Sequence, residues 1–391
     1  MGTVLATGNQ AAGQVLAMAG EANRSARGCG GGAYPITPQT EIAEYLTGHR
    51  FAKGSFVTAE SEHSAMAVCI GVSVMGARSF TASSSNGLLY MTENVFAAGY
   101  CRLPLVMVVC NRTIGPPWNI WVDQGDSLAM RDSAWMQFYC ESHQDLVDTI
   151  LLAFRVAEDE RVLLPAMVAQ DGFLVSHTLM RVDIPEQAEV DRYLPTLRLP
   201  QRLRPEHPVL YGSITPPRET ENHRRDLEAA MAQVPIALGE AIDEFEDVFG
   251  RRPHGAFFAE QTADADAVLL ASNTMARTAR RVVEKRRAQG EKIGLVGAKL
   301  FRPFLRSELV AAIGSAKRVA VLDRNLSPGS GGIFWNEVAS SLRQRADVVL
   351  QGYLMGLGGG DVTEGLVEAV LNDLLGLTES GEPVFFPARV A

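Results

Sequence analysis

Three clusters in the 391-residue chain combine side-chain types and spacings that chemistry can use. The first is Thr58-Ala-Glu-Ser-Glu-His-Ser-Ala-Met-Ala67, where Glu60, Glu62 and His63 fall between a strand end and a strongly apolar helix. Two carboxyl groups at such an entrance can have their pKa values driven apart, which prepares one of them for proton transfer. Helix capping by Ser61 or Glu60 accounts for the same residues equally well. The second cluster is Cys110-Asn-Arg-Thr-Ile-Gly-Pro-Pro-Trp-Asn-Ile-Trp-Val-Asp-Gln-Gly-Asp126. An unbroken apolar run, Leu105 to Val109, delivers Arg112 to the C-terminal end of a buried parallel strand, where ligands bind in open α/β sheets. A guanidinium there can clamp a carboxylate through two parallel hydrogen bonds. The loop after it is too apolar for idle coil, so it either folds over a ligand or packs on another subunit. The third cluster is Gly30-Gly-Gly-Ala-Tyr-Pro-Ile-Thr-Pro-Gln-Thr-Glu41. A strand running into Thr37-Pro38 places proline at a first helical position and Thr37 at the N-cap, a helix start that favours an anion. An ordinary capped helix has the same spacing and is the simpler reading of it.

The elements that must position these residues follow from apolar periodicity. Strands are expected at 33–36, 55–58, 79–82, 104–110 and 164–168, with helices at 40–46, 63–75, 88–100 and 144–158 between them. Such alternation marks a layered α/β domain. Between Met180 and Pro217 the periodicity stops and prolines crowd the chain, as in an extended connector. A helix is expected from Thr220 to Gly250. A second alternation follows, with strands at 267–271, 293–296, 318–322 and 348–351 and helices at 274–288, 307–313, 331–343 and 363–374. The stretch Gly356-Leu-Gly-Gly-Gly-Asp361 does not match a dinucleotide fingerprint and reads as a tight turn.

Composition removes several function classes. A formal net charge of −9 argues against nucleic acid as a partner, because phosphate binding needs a basic surface. No apolar run reaches the roughly 18 residues of a membrane span, and the start lacks a basic-then-apolar leader. A soluble, cytoplasmic protein without membrane contact is therefore expected. The five cysteines form no C-x-x-C pair, so this chain is expected to hold neither a metal nor an iron–sulfur cluster, and its thiols read as buried and free.

Taken together, Tyr34-Pro-Ile-Thr-Pro38, Glu60-Ser-Glu-His-Ser-Ala65, Cys110-Asn-Arg112, Asn119-Ile-Trp121, Arg131-Asp132 and Asp171-Gly-Phe173 form a pattern. Val321-Leu-Asp-Arg324, Ser327-Pro-Gly329 and Asp361-Val-Thr363 extend it along the second half. The chain resembles the α subunits of 2-oxoacid:ferredoxin oxidoreductases, thiamine-diphosphate enzymes typified by pyruvate synthase. The resemblance implies a pyrimidine-binding thiamine-diphosphate domain over residues 1–180, an extended connector and helix over 181–255, and a smaller transketolase-C-terminal-like α/β domain over 256–391. It implies that Glu62 hydrogen-bonds the aminopyrimidine nitrogen and acts as acid–base catalyst, with Pro35 and Ile36 beside the cofactor. Thr37 and Arg112 are implied to hold the carboxylate and oxo groups of the 2-oxoacid. The diphosphate and magnesium are implied to sit on a β subunit, and iron–sulfur clusters on ferredoxin-like and γ-type partner subunits. Coenzyme A would be the co-substrate. A flavoprotein subunit is an alternative electron acceptor.

Two departures from the family pattern bear on substrate. Where family members read Asn-Asp-His-Gln-Asp, this chain reads Val122-Asp-Gln-Gly-Asp126, and Pro116-Pro-Trp118 replaces a less bulky run. If Gln124 and Gly125 lie on the substrate side, the pocket is more neutral and roomier. A bulkier 2-oxoacid such as phenylglyoxylate is then expected, with pyruvate as the alternative. A non-catalytic structural subunit is the alternative of another class, disfavoured by the presence of Thr37, Glu62 and Arg112 together. The stretch 24–31 reads as an insertion without a role.

Overall fold

Three sheets organise the chain, seen in a computed structural model that describes residues 2–387. In chain order the strands are β1 (Gly2–Ala6), β2 (Cys29–Ala33), β3 (Gly54–Thr58), β4 (Arg78–Ser83), β5 (Leu105–Asn111), β6 (Met136–Cys140), β7 (Ala166–Asp171) and β8 (Met180–Ile184). The second half adds β9 (Phe257–Glu260), β10 (Ala267–Ala271), β11 (Ile293–Ala298), β12 (Leu300–Arg302), β13 (Arg318–Asp323), β14 (Val349–Leu354) and β15 (Val384–Phe385).

The largest sheet has the order β12-β6-β7-β5-β4-β2-β3, and all its strands but β12 run parallel. The chain first steps outward from β2 to β3, then returns to the other side of β2 for β4. The direction of winding therefore reverses between β2 and β4, and this is where open α/β sheets leave a crevice at the strands' C-terminal ends. β5 is buried at all seven residues. Its side chains alternate between two cores, as a period of two requires. Val106, Val108 and Cys110 pack with the helices Gly8–Glu21 and His143–Ala157, whereas Leu105, Met107 and Val109 pack with Glu62–Val74 and Thr92–Tyr100. Each fully buried valine or leucine here is worth about 1.5–3 kcal/mol relative to exposure, so the strand that carries Arg112 is firmly seated.

A six-stranded sheet, β15-β14-β13-β10-β11-β9, is parallel except for β9. β12 follows β11 in sequence but pairs antiparallel with β6 of the first sheet, Leu300 opposite Phe138. Tyr139, Phe301 and Phe334 meet edge-on at that junction, so the two sheets share one apolar core. β1 and β8 form a separate antiparallel ribbon.

The expected alternation is present in both halves, with corrections that have physical causes. The strand expected at 33–36 is Cys29–Ala33, so part of the stretch read as an insertion is strand. Its glycines are there because β4 passes so close that a Cβ on Gly31 would lie 1.9 Å from the Phe80 carbonyl oxygen. Pro38 does not begin a helix and Thr37 does not cap one. The helix starts at Thr40 behind Gln39, and the Thr37–Pro38 peptide is cis. The helix expected at 88–100 breaks at Met91 into Ser85–Tyr90 and Thr92–Tyr100. The stretch 180–217 contains β8 and a short helix, Gln187–Tyr193, before the 33-residue helix Pro217–Phe249. Cys29, Cys69, Cys110 and Cys140 are buried free thiols, and Cys101 is partly exposed. No helix among the described residues is long and apolar enough to cross a membrane.

Candidate active site

Glu62 opens the helix that follows β3. Ser61 is the N-cap, its hydroxyl accepting from the Ser64 N–H at 3.2 Å, so capping is done without Glu62. Glu62 is 7% exposed, and a Cβ on Gly87 would come within 2.5 Å of its Oε1. The carboxylate thus lies against bare backbone of the helix Ser85–Tyr90. No group among the described residues hydrogen-bonds it. Glu60 points outward instead and accepts from the Ser64 hydroxyl, which holds its carboxyl below the ordinary range. His63 is also turned outward, 3.5 Å from Glu93. Of the three groups in the cluster, only Glu62 is buried and uncommitted.

Arg112 follows β5 directly and is 5% exposed. Its Nη1 donates to the Thr37 carbonyl oxygen at 2.6 Å, and its guanidinium carbon sits 4.5 Å from the centroid of the Trp118 ring. Its Nε is buried without a partner, and burial lowers the guanidinium pKa against the opposing charge of Asp126. The structure therefore brings Thr37 and Arg112 together, through the Thr37 backbone and with its side chain exposed. Tyr34 and Pro35 are also exposed and Ile36 half-buried along the segment leaving β2, which Gln39 pins by donating to the Tyr34 carbonyl at 2.8 Å. Thr37, Glu62 and Arg112 thus follow the C-terminal ends of β2, β3 and β5, around the reversal of winding.

Sequence reasoning did not single out Asp126. It is fully buried and accepts four hydrogen bonds: Oδ1 from Asn111 Nδ2 and the Ser127 N–H, both at 2.7 Å, and Oδ2 from the Ser85 N–H at 2.9 Å and the Arg112 N–H at 3.0 Å. Burial nevertheless pushes its carboxyl up to about 7. Its place at the end of an apolar loop was the available signal. Gln124 gives a correction. Its side chain is fully buried and donates to Ser272 Oγ at 3.1 Å, while its N–H donates to the Arg324 carbonyl at 3.0 Å. The glutamine tunes the contact between the two sheets and does not neutralise the surroundings of Arg112.

The loop from Thr113 to Trp121 folds back over Arg112 and leaves large apolar side chains exposed. Trp118 covers Arg112, while Trp118, Ile120 and Trp121 remain 38–49% exposed. Tyr34, after β2, and Tyr90, 6.2 Å from the His63 ring, are exposed as well. Trp121 packs on Phe173, ring centroids 4.7 Å apart, at the mouth of a ≈ 900 Å³ cleft shared with Arg277, Arg324 and Gly359. The Gly356–Asp361 stretch is a tight turn with positive φ at Gly356, Gly358 and Gly359, and it backs onto Trp121.

Comparison with known proteins decides what this edge belongs to. Residues 31–241 match the model described as "Pyruvate flavodoxin/ferredoxin oxidoreductase, thiamine diP-bdg", and residues 265–367 match "Pyruvate:ferredoxin oxidoreductase core domain II". The chain belongs to the pyruvate:ferredoxin oxidoreductase family. It is 41% identical to pyruvate synthase subunit PorA of Methanothermobacter thermautotrophicus, over 86% of this chain and 88% of that one. It is 40% identical to ketoisovalerate oxidoreductase subunit VorA of Pyrococcus abyssi, over 90% and 89%. Within this family it corresponds to the α subunit of a 2-oxoacid:ferredoxin oxidoreductase. The fold is shared with the 2-oxoglutarate:ferredoxin oxidoreductase from Magnetococcus marinus, solved with 2-oxoglutarate, coenzyme A and succinyl-CoA bound. The TM-score is 0.71 at 20% identity, and the match spans 95% of this chain and 65% of that one. A split-gene transketolase shares it more loosely, with a TM-score of 0.54 at 16% identity over 97% of this chain and all of that one.

Proposed function

We propose that this chain supplies the pyrimidine-binding half of an active site that oxidatively decarboxylates a short aliphatic 2-oxoacid and passes the acyl group to coenzyme A. The carrying observation is the Glu62 carboxylate, buried at a helix entrance yet free of any partner in its own chain. With no partner in the chain, a carboxyl group at this position is free to donate to a ligand's ring nitrogen when protonated, or to accept from that nitrogen once it carries the proton. The aminopyrimidine of thiamine diphosphate fits that requirement. When bound, this cofactor supplies a nucleophilic carbon and an electron sink for decarboxylation. Glu62 holds and moves the proton at the ring nitrogen, a role that needs a carboxyl group in a site of low dielectric. Arg112 binds the carboxylate of the oxoacid and orients it. It must do so without overstabilising it, because that charge is lost with carbon dioxide.

The exposed Trp118 over Arg112 and the exposed Tyr90 beside His63 support a β subunit that closes the site and brings the diphosphate and magnesium. Electrons would leave through iron–sulfur clusters on further subunits. For the substrate, similarity to proteins named for pyruvate and ketoisovalerate supports a short aliphatic acid. The aromatic acid expected from Gln124 loses its premise, since that side chain is committed to Ser272. The test is Glu62→Gln in the assembled complex, read by deuterium exchange at the reactive carbon of the cofactor. A fall of about 100-fold or more is expected for loss of a positioned acid–base group. An unchanged exchange rate would count decisively against the assignment.

A further inference from the structure

We infer that Asp126 is the positioning residue that fixes the acid–base side and the oxoacid side of this site to each other. The inference rests on the function proposed above and adds a residue to it. Oδ2 of Asp126 accepts from two N–H groups at once, Ser85 at 2.9 Å and Arg112 at 3.0 Å. These belong to different arms. Ser85 begins the helix whose Gly87 backbone lies against the Glu62 carboxylate. Arg112 ends the strand extension whose guanidinium grips Thr37.

The Ser85 arm needs such a hold. Its φ is +50°, a conformation that residues with a Cβ adopt at a cost of order 1–3 kcal/mol unless their surroundings impose it. The Ser85 hydroxyl also donates to the Thr113 carbonyl, one residue beyond Arg112, so the two arms touch twice. Oδ1 is engaged by Asn111 and by the Ser127 N–H, which prevents the carboxylate from rotating. All four partners are donors, so the arrangement is complementary to a carboxylate and not to an amide. An asparagine would aim an NH2 group at N–H donors on one side and leave them unsatisfied.

The experiment uses the whole complex. Asp126→Asn is expected to lower kcat/KM for the 2-oxoacid by about 10- to 100-fold, the range set by unsatisfied buried donors. In the same protein, hydrogen exchange at the Ser85 and Arg112 amides should rise together while exchange along β5 stays protected. Adding Ser85→Gly frees the Glu62 arm from any need of a hold, because glycine takes a positive φ without help, and it also removes the hydroxyl tie to Thr113, so Ser85→Gly alone is measured beside it. The double variant is expected to recover kcat, which follows Glu62, and to keep the raised KM, which follows Arg112. It also relieves strain, so it reports even if Asp126→Asn alone does not fold. Wild-type kinetics in Asp126→Asn, or recovery of KM and kcat together in the double variant, overturn the inference. Glu62→Gln and Arg112→Ala run alongside: if these are also fully active, it is the functional reading that has failed.

Discussion

Glu62 and Gly87 are in contact such that no side chain larger than hydrogen fits between them: a Cβ at position 87 would lie 2.5 Å from Glu62 Oε1 and 2.9 Å from its Cγ. The carboxylate is therefore placed by the absence of an atom on a neighbouring helix, and not by a hydrogen bond of its own. Gly87→Ala is expected to push the flexible Glu62 side chain aside and leave the fold intact. Alanine is the better helix former by about 0.8–1 kcal/mol, so the melting temperature should stay level or rise. The turnover of the complex should fall by at least about 10-fold. A calorimetric scan beside a kcat measurement distinguishes this from general damage.

The charge of Asp126 couples the site to pH in two opposite ways. Burial raises its carboxyl to about 7 in the folded chain, above the ordinary value of 3.8. Because the folded state holds the proton more tightly, this group's contribution to stability is fully present below about pH 4 and is lost as pH rises through about 7. Asp323, raised by burial to about 6, acts with the same sign. Function runs the other way. The four donors around Asp126 require the ionised form, so KM for the oxoacid should rise as pH falls below about 7. The charged or titratable groups facing Asp126 are Arg112, Cys110 and Tyr139. The two thiol and phenol groups are held neutral by burial well above this window, which leaves the carboxyl to titrate. Asp126→Asn should flatten the KM profile between pH 5.5 and 8.5 (about three units, spanning the raised pKa) and make the stability profile shallower, with the share of Asp323 remaining, as followed by urea midpoints.

What the sequence disclosed and what it hid follow from where free energy is concentrated. β5 was legible because burial on both faces demands an unbroken apolar run, and its end predicted the position of Arg112. β6 was not: Gln137 interrupts its pattern, tolerated because its amide donates to the Ser127 carbonyl at 2.7 Å. β2 was placed too late because its glycines answer to a close approach by β4, a relation between distant segments that no local period records. The helix Gly8–Glu21 carries a full capping box between Thr7 and Gln10 and could have been read from it. For the site, residue types at strand ends exposed Glu62 and Arg112. Asp126 stayed hidden because a carboxylate in a loop looks solvated until its four partners are seen.

Arg324 and Asp171 tie the two larger sheets through a pair that is almost completely dry, 2% and 0% exposed, with Nη1 to Oδ2 at 3.1 Å. Asp171 also accepts from Asn273 Nδ2 at 2.7 Å and from both the N–H and the hydroxyl of Thr274. Breaking one side of a buried pair leaves the other charge uncompensated, at a cost of about 3–5 kcal/mol. Asp171→Ala is accordingly expected to lower the unfolding free energy by that amount, read as a fall in the urea midpoint at unchanged m-value. Removing both charges in Asp171→Ala/Arg324→Leu should destabilise less than Asp171→Ala alone. If the double variant were the less stable, an uncompensated Arg324 charge would not be the source of the loss in Asp171→Ala.

Trp118 lies 4.5 Å above the guanidinium yet is about half exposed, so its own cation–π contact is worth only about 0.5–1 kcal/mol. Trp118→Ala in the isolated chain should therefore change stability by no more than that. The exposed half of the ring is free to meet the proposed β subunit, and a tryptophan at the centre of an interface commonly contributes about 2 kcal/mol or more. Sedimentation or native mass spectrometry of the Trp118→Ala complex should show weakened association with the β subunit by at least about 10-fold, with KM for the 2-oxoacid rising less than it does in Arg112→Lys, where the two-pronged grip on the carboxylate is itself lost. Unaltered association together with a KM as poor as that of Arg112→Lys would mean that the ring serves the substrate and not the partner.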